Sequence, residues 1–288
     1  MRLLGKEEIV KQSERAYERW KEIWHSNAKD NTGKYYKENP EIRNSKQGKS
    51  CIIAAFGPSL KKNVEIIKKA NLHYQYDIVA VDKTVKTFLD KDIVPNYLIV
   101  SDAQVSFEKY GNIDPKYCKR IKLIMAVTAN SKWAKHWIEN GGQVYYYVNK
   151  DNIRTHKIFG EYLKNKQSLL IPASSNVGNC AYVMASLILG YKKCVLVGYD
   201  YSYSLLGSYY GDGDKKPIDT NLKINKHNLY NHNTVLDINR EPVQVSSNML
   251  FSSKWLIDFI KTMERRVLTI NATGSGILFI NNQANLVA

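Results

Sequence analysis

The stretch "IIAAFGPSLKKN", residues 52–63, joins an apolar run to a polar, helix-like run through a glycine–proline turn. Residues 52–56 are apolar throughout, which is typical of a buried strand. Gly57 and Pro58 end that strand, and Ser59 stands where a helix N-cap would stand. The stretch therefore predicts a strand, a tight turn and the start of a helix, which is the repeating unit of parallel α/β sheets.

The two lysines after this turn, Lys61 and Lys62, are unusual for the first turn of a helix. Cations there oppose the helix dipole by about 0.3–1 kcal/mol, so a nearby anion would explain them. Backbone N–H groups at a helix start, with a glycine that allows close approach, suit a phosphate. The alternative is an ordinary turn with solvated lysines. The candidate phosphate-binding residues of the turn are Gly57, Pro58, Ser59, Leu60 and Lys61.

Strand-like and helix-like runs alternate along the rest of the chain. Further strands are predicted at 77–82, 96–102, 121–127, 143–148, 194–198 and 266–270, and helices near 60–70, 83–91, 131–140, 176–189 and 247–263. Because the strand runs are continuously apolar, the pattern predicts an α/β fold, with a mostly parallel sheet covered by helices on both faces.

The pattern also predicts how the chain is organised. Residues 1–49 are expected to form an amphipathic helix, near 7–26, and a polar loop that pack on the core. Residues 50–288 are expected to form the main domain. Within it, the stretch at 200–245 is rich in Tyr, Asn, Gly and Asp with little periodicity, which predicts an irregular lid or subdomain inserted near the carboxyl edge of the sheet.

Composition narrows the class of protein. The 288 residues carry a formal charge of +15 that is spread along the chain, which disfavours a nucleic-acid-binding arm and favours a small polyanionic ligand such as a nucleotide. The first residues contain no secretory apolar region, and the longest apolar run, residues 180–191, is too short to span a membrane, so a cytoplasmic protein is expected. The four cysteines lack C-x-x-C spacing, which predicts reduced thiols and no zinc site.

Acidic residues follow three of the predicted strands, at the edge where α/β proteins bind ligands. Asp82 has the position of a helix N-cap, although a binding role is also open. Asp102 precedes a poorer helix and is the stronger candidate to bind a ribose, a metal or a substrate hydroxyl. Asp200, next to Gly198 and flanked by tyrosines, favours a site more than a cap. Asp102 and Asp200 are therefore both candidate catalytic residues.

A second anion-binding loop is predicted before the long apolar helix, at Ser174, Ser175 and Asn176, where the same residues would also serve as an ordinary cap. His227 and His232 lie in the irregular insertion, and either is a candidate general base, with a solvated loop residue as the alternative. The chain contains no G-x-S-x-G, H-E-x-x-H, Walker or G-x-G-x-x-G motif, which argues against serine hydrolase, zincin and dehydrogenase functions.

Four blocks in this order resemble the family of MptE-like proteins and Maf (motility accessory factor) glycosyltransferases. They are "GPSL" at 57–60, "IVAVDKTVKTFLDKDIVPNYLIVSD" at 78–102, "SSNVGNCAYVMASLILGYKKCVLVGYDYSY" at 174–203 and "INATGSG" at 270–276. The third block also resembles bacterial sialyltransferases that use CMP-sialic acid. Maf-like chains commonly hold a histidine after this block, where this chain has Tyr209 and Tyr210.

The resemblance implies a Rossmann-like fold that binds a nucleotide at the carboxyl edge of its sheet. It favours a glycosyltransferase that uses a CMP-activated nonulosonic acid and needs no metal, with the acceptor hydroxyl on a glycan or a protein. Tyr201 and Tyr203 would help to stabilise the departing phosphate. The first alternative is transfer of diphosphate from ATP to 6-hydroxymethyl-dihydropterin, with Mg²⁺ on Asp102 and Asp200. The second alternative is a non-catalytic protein that binds a nucleotide or a nucleic acid.

Overall fold

A computed structural model describes residues 6–150, 160–163, 166, 168–172, 176–203 and 232–284. The chain divides into two compact units. The first unit consists of Met1–Pro40 and Leu98–Ala173, and the second unit consists of Glu41–Tyr97 and Ser174–Ala288.

Seven α-helices are named here in chain order within the described ranges. They are α1 (Lys6–Thr32), α2 (Leu60–Lys69), α3 (Val85–Leu89), α4 (Ser131–Glu139), α5 (Gly160–Tyr162), α6 (Val177–Val183) and α7 (Ser247–Met263). A π-helical segment, Met184–Leu189, continues α6, so that this apolar helix extends over the range predicted near 176–189.

Ten strands are named in the same way. They are β1 (Ser50–Ala54), β2 (Asp77–Val81), β3 (Tyr97–Val100), β4 (Lys122–Ala126), β5 (Val144–Lys150), β6 (Leu169–Pro172), β7 (Lys193–Val197), β8 (His232–Leu236), β9 (Pro242–Ser246) and β10 (Leu268–Asn271). Each strand predicted from the sequence is present, whereas β6, β8 and β9 were not predicted.

The second unit contains the strands in the order β10-β7-β1-β2, all parallel. Ile53 in β1 pairs with Val79 of β2 on one side and Leu196 of β7 on the other. The chain runs directly from β1 to β2 but reaches β7 only much later. The strand order therefore reverses beside β1, and such a switch point is where open α/β sheets bind ligands.

The first unit contains the order β3-β4-β5-β6, in which the pairs β4–β5 and β5–β6 are parallel. The N-terminal helix α1 packs within this unit. Its Asn31 is fully buried and donates from Nδ2 to the carbonyls of Val127 and Ala129, both at 2.9 Å. These two hydrogen bonds hold α1 beside the loop that follows β4.

The predicted irregular stretch at 200–245 ends in a hairpin. Strands β8 and β9 pair antiparallel, with Val235 opposite Val243, and helix α7 follows directly. The sequences "HNTVL" and "PVQVS" did not predict these strands, because neither contains the continuous apolar run from which the buried strands were predicted. Residues 204–231 of the stretch lie outside the described residues.

These observations confirm the predicted Rossmann-like α/β fold with a mostly parallel sheet and an insertion near its carboxyl edge. They also bear on membrane insertion. Across the described ranges, no helix combines the length and the hydropathy that a membrane span requires.

Candidate functional site

Asp200 lies at the centre of the second unit's carboxyl edge, where the four strands of that unit end. The residue is 1% exposed. Its Oδ2 accepts hydrogen bonds from the Ser59 hydroxyl at 2.8 Å and from the Ser59 backbone N–H at 3.3 Å. Its Oδ1 accepts from the Ser275 hydroxyl at 2.5 Å. One carboxylate therefore joins the loops that follow β1, β7 and β10.

Glycines allow these loops to approach each other closely. A Cβ on Gly57 would lie 2.0 Å from Oδ2 of Asp200 and 2.5 Å from the Gly198 carbonyl oxygen. A Cβ on Gly276 would lie 2.1 Å from the Asp200 carbonyl oxygen, and this glycine also has a φ of +82°. The glycine in "GPSL" is thus required by the packing of Asp200 against the turn, whether or not a phosphate approaches.

Burial changes the proton affinity of Asp200. Removal from water raises the pKa of this carboxyl, while the hydrogen bonds from Ser275 and Ser59 oppose the rise; the net direction is upward. These hydrogen bonds to the ionised form offset part of the cost of removing the carboxylate from water.

Asn63 is a second buried polar group under the same turn. Its Oδ1 accepts from the Gly198 N–H at 3.1 Å, and its Nδ2 donates to the Thr273 carbonyl at 3.3 Å. The Ser59 hydroxyl lies 3.1 Å from Asn63 Oδ1, but its single proton has the shorter path of 2.8 Å to Asp200. Asn63 therefore connects the same three loops as Asp200 does, from within helix α2.

The backbone N–H groups of the turn bond inside the protein. Gly57 donates to the Gly198 carbonyl at 2.9 Å, Ser59 donates to Asp200, and Leu60 donates to the Gly57 carbonyl at 3.1 Å. Ser59 occupies the predicted N-cap position, but its side chain does not cap α2. The turn is therefore shaped by its own partners, and an anion bound there would exchange with some of these bonds.

The lysines and the proline of the turn are accessible. Lys61 and Lys62 are exposed, whereas Pro58 is half-buried and Leu60 is fully buried. The first turn of α2 thus presents two cationic side chains at the carboxyl edge. This charge suits a ligand with negative charge, and the binding of an anion at this turn stays a prediction.

The predicted anion loop before α6 is described from Asn176 onward; Ser174 and Ser175 lie outside the described residues. Asn176 is the N-cap of α6, with its side chain accepting from the Asn179 N–H at 2.9 Å. The Tyr201 hydroxyl donates to Asn179 Oδ1 at 2.5 Å. The plain cap that was the alternative reading of Asn176 is therefore present.

Tyr201 and Tyr203 both face protein in this region. Tyr201 has a φ of +49° and packs on the apolar cluster of Val243, Val245 and Ile277. Burial raises its pKa, so its hydroxyl stays protonated and acts as a hydrogen-bond donor. Tyr203 is buried, and its N–H donates to the Gln244 carbonyl at 2.9 Å, which joins the segment after Asp200 to β9.

The other predicted acids lie in different settings. Asp82 begins the short 3₁₀ helix that follows β2, is buried, and accepts from the Lys83 N–H at 2.7 Å. Asp102 belongs to the first unit, is exposed, and accepts from the Gln104 N–H at 2.9 Å. The structure thus gathers the turn residues, Gly198 and Asp200 at one place in the second unit, whereas Asp102 belongs to the first unit.

Of the two candidate histidines, His232 lies within the described residues. His232 is the first residue of β8, opposite Ser246 at the start of α7. His227 lies outside the described residues. The role of general base therefore stays a prediction for both.

Asp200 does not fit the role of Mg²⁺ ligand that the diphosphate alternative gave it. Both of its oxygens accept hydrogen bonds from serines, and the group is almost fully buried, whereas Mg²⁺ keeps several waters around it. Within the described ranges, no three His, Cys, Asp or Glu side chains gather as a metal site.

Sequence reasoning missed several residues that shape the site. Asp237 accepts from the backbone N–H groups of Asn239 and Glu241 at 2.8 and 2.9 Å and from that of Gly276 at 3.3 Å, so it holds the hairpin turn on the last loop. The other missed residues are small and polar: Asn63, Asn179, Thr273 and Ser275. The motif "INATGSG" contained the signal for two of them, although it gave no indication of their partners.

The fold and this edge define a Rossmann-like α/β protein whose strand-end loops meet on a buried aspartate. Comparison with known families identifies it further. The chain belongs to the family described as 6-hydroxymethylpterin diphosphokinase MptE-like, whose model matches residues 25–205.

Two relatives show what this chain is similar to. A 6-hydroxymethyl-7,8-dihydropterin pyrophosphokinase of Methanocaldococcus jannaschii is 32% identical over 86 residues, which are 29% of this chain and 33% of the relative. A solved structure of the Maf glycosyltransferase from Magnetospirillum magneticum superposes with a TM-score of 0.62 at 16% identity, covering 91% of this chain and 38% of that one. The chain thus spans about a third of the length of either relative, and the second likeness concerns the fold.

Proposed function

We propose that this protein is a transferase that takes its group from a nucleotide-activated donor at the carboxyl edge of the second unit. The donor we favour is a CMP-activated nonulosonic acid, and the acceptor is a hydroxyl of a glycan or a protein. The observation that carries the proposal is the meeting of the loops after β1, β7 and β10 at the switch point beside β1. Two exposed lysines stand next to it.

Two observations support glycosyl transfer over diphosphate transfer. The fold shared with the Maf glycosyltransferase extends over 91% of the chain, whereas the family match ends at residue 205. The loop after β10, which lies beyond the family match, contains Ser275 and Gly276, and both contact Asp200. Asp200 is also engaged by serines and does not present a carboxylate to Mg²⁺, while departure of CMP from a sugar requires only stabilisation of one phosphate.

The proposed reaction follows from the charges involved. The bond between the anomeric carbon and the CMP phosphate oxygen breaks, and the acceptor oxygen forms a new bond to that carbon. The electron pair of the broken bond leaves with CMP, and the acceptor proton goes to a base, for which His232 is the candidate. The ammonium groups of Lys61 and Lys62 would stabilise the leaving phosphate electrostatically, because both side chains are exposed at the same edge.

Diphosphate transfer to a pterin is the second candidate. It is supported by the family description and by the 32% identity to the pterin enzyme over 86 residues. In that reaction a hydroxyl of the pterin attacks the β-phosphorus of ATP and AMP leaves. This reaction involves more phosphate charge than CMP departure does, so its donor binding should depend on Mg²⁺.

The first test is a thermal-shift series with CMP, CDP, UDP, GDP and ATP, each with Mg²⁺ and with EDTA. A ligand that binds only the native state stabilises it by about 2.7 kcal/mol at a hundred times its Kd. Stabilisation by CMP in EDTA would support the glycosyltransferase. Stabilisation by ATP only with Mg²⁺ would replace it with the diphosphokinase, and binding without turnover of any donor would indicate a non-catalytic nucleotide-binding protein.

A matched pair of lysine variants tests whether the nucleotide binds at the turn of residues 57–60. Lys61 lies in the first turn of α2 and Lys69 is its last residue, and both are exposed. Lys61→Ala should weaken nucleotide binding several-fold, since it removes one charge beside the phosphate, whereas Lys69→Ala should leave it unchanged. Equal effects of the two variants would show that the nucleotide does not bind at this turn.

A further inference from the structure

The contacts of Asp200 are directed at the turn and not at a ligand. An ionised carboxylate accepts about four hydrogen bonds, and here three donors already contact it: the Ser59 N–H, the Ser59 hydroxyl and the Ser275 hydroxyl. With 1% exposure, little of the group faces solvent. This leaves Asp200 poorly placed to take a proton from an acceptor or to coordinate a cation.

The same segment holds the turn at a second point. The carbonyl of Gly198 accepts from the Gly57 N–H at 2.9 Å, while the Gly198 N–H donates to Asn63 at 3.1 Å. The turn is therefore fixed at its first residue by Gly198 and at its third residue by Asp200. Charged acceptors form hydrogen bonds roughly twice as strong as neutral ones, so the Asp200 contact is the stronger of the two.

We infer that Asp200 is a positioning residue, whose carboxylate holds residues 57–60 in the conformation that binds the nucleotide, and that it does not contact the reacting atoms. The inference rests on the proposed function in so far as the turn is the nucleotide site. It assigns to the "GYD" motif a role different from that of a general base or a metal ligand.

Hydrogen exchange of the backbone amides in segment 56–63 measures how firmly the turn is held, and it needs no ligand. Asp200→Asn replaces an acceptor of the Ser59 N–H and should raise exchange in this segment about tenfold, and Ser59→Ala, which removes only the hydroxyl, should raise it less. The control is Asp77→Asn, because Asp77 also pairs with neighbours, Lys46 at 2.8 Å and Tyr191 at 2.5 Å, but at the opposite edge of the same unit. Unchanged exchange in Asp200→Asn would overturn the inference.

Nucleotide titration of the same variants separates positioning from chemistry. Asp200→Asn should raise the nucleotide Kd about tenfold and Ser59→Ala about fivefold. The double variant should remain near tenfold, because the hydroxyl contact that Ser59→Ala removes is among those that Asp200→Asn disturbs. Independent effects would give about fiftyfold and would overturn the inference. An unchanged Kd with lost turnover would also overturn it, since that is the behaviour of a catalytic residue. Asp77→Asn should leave the Kd unchanged.

Hydrogen exchange and nucleotide titration distinguish a failure of this inference from a failure of the proposed function. If the wild-type protein binds no nucleotide, the proposed function is wrong, and hydrogen exchange still decides whether Asp200 holds the turn. If Asp200→Asn does not fold, Ser59→Ala provides the smaller change in both measurements. Normal exchange and a normal Kd in Ser59→Ala would then count against the inference.

Discussion

Replacement of Gly57 by alanine gives a sharp test of the packing at the carboxyl edge. The added Cβ would lie 2.0 Å from Asp200 Oδ2 and 2.5 Å from the Gly198 carbonyl oxygen, whereas an ordinary contact begins at 3.4 Å. Relief of the first contact alone requires a displacement of 1.4 Å, the difference between 3.4 and 2.0 Å. The Ser59 hydroxyl bond to the same oxygen is 2.8 Å long and would not survive a movement of that size directed away from it.

The expected loss in the free energy of unfolding follows from the hydrogen bonds that this displacement breaks. A hydrogen bond to a charged group contributes about 1.5–3 kcal/mol, and overpacking of a filled site typically costs about 1–3 kcal/mol. With partial relaxation we expect Gly57→Ala to lower the free energy of unfolding by about 3 kcal/mol. At about 2–4 °C per kcal/mol for a chain of this size, the melting temperature should fall by roughly 6–12 °C.

The assay is calorimetry or urea unfolding of Gly57→Ala beside Gly160→Ala. A Cβ on Gly160, an exposed residue at the start of α5, meets no atom within 4 Å, so that variant should change stability by less than about 0.5 kcal/mol. Asp200→Ala should reduce the penalty of Gly57→Ala, because it removes Oδ2 and Cγ of Asp200, two of the three atoms that lie within 3 Å of the added Cβ. A loss below about 2 °C for Gly57→Ala, which corresponds to about 1 kcal/mol or less, would refute the packing argument. Additive losses in the double variant would refute it as well.

Three further results are expected. Burial raises the pKa of Asp200 above its usual 3.8, so between that value and the raised one the native state binds more protons than the unfolded state. The contribution of Asp200 to the free energy of unfolding should therefore fall as pH increases through that window. Urea unfolding across about pH 4–8 should show a slope that Asp200→Asn removes, and an identical slope in the variant would contradict the prediction. Burial raises the pKa of Cys118 to about 11, so this thiol should resist a thiol reagent in the native protein at about pH 8 and react after unfolding; rapid native labelling would contradict its placement. Tyr201→Phe should cost about 1–2 kcal/mol of stability in urea unfolding, because the Asn179 side chain loses a buried donor, and an unchanged midpoint would show that this bond contributes nothing.

The agreement between sequence and structure is closest where hydrophobic pattern decides. The runs at 52–56, 77–82 and 194–198 were read as buried parallel strands, and β1, β2 and β7 occupy them within one or two residues. Such strands are recognisable because burial on both faces demands an uninterrupted apolar run. The hairpin of β8 and β9 was not predicted by the same reasoning, since its strands are partly exposed and lack a continuous apolar run.

The sequence by itself determined the fold class and the order of the elements, because strand and helix periods are local properties of the chain. It also indicated the turn at 57–60 as the start of a site, from its glycine and its lysines. Only the tertiary structure decided the contacts of Asp200, which lies against Ser59, a residue 141 positions earlier, and Ser275, 75 positions later. Contacts over such separations depend on which strands become neighbours, and no local pattern in a single chain specifies them.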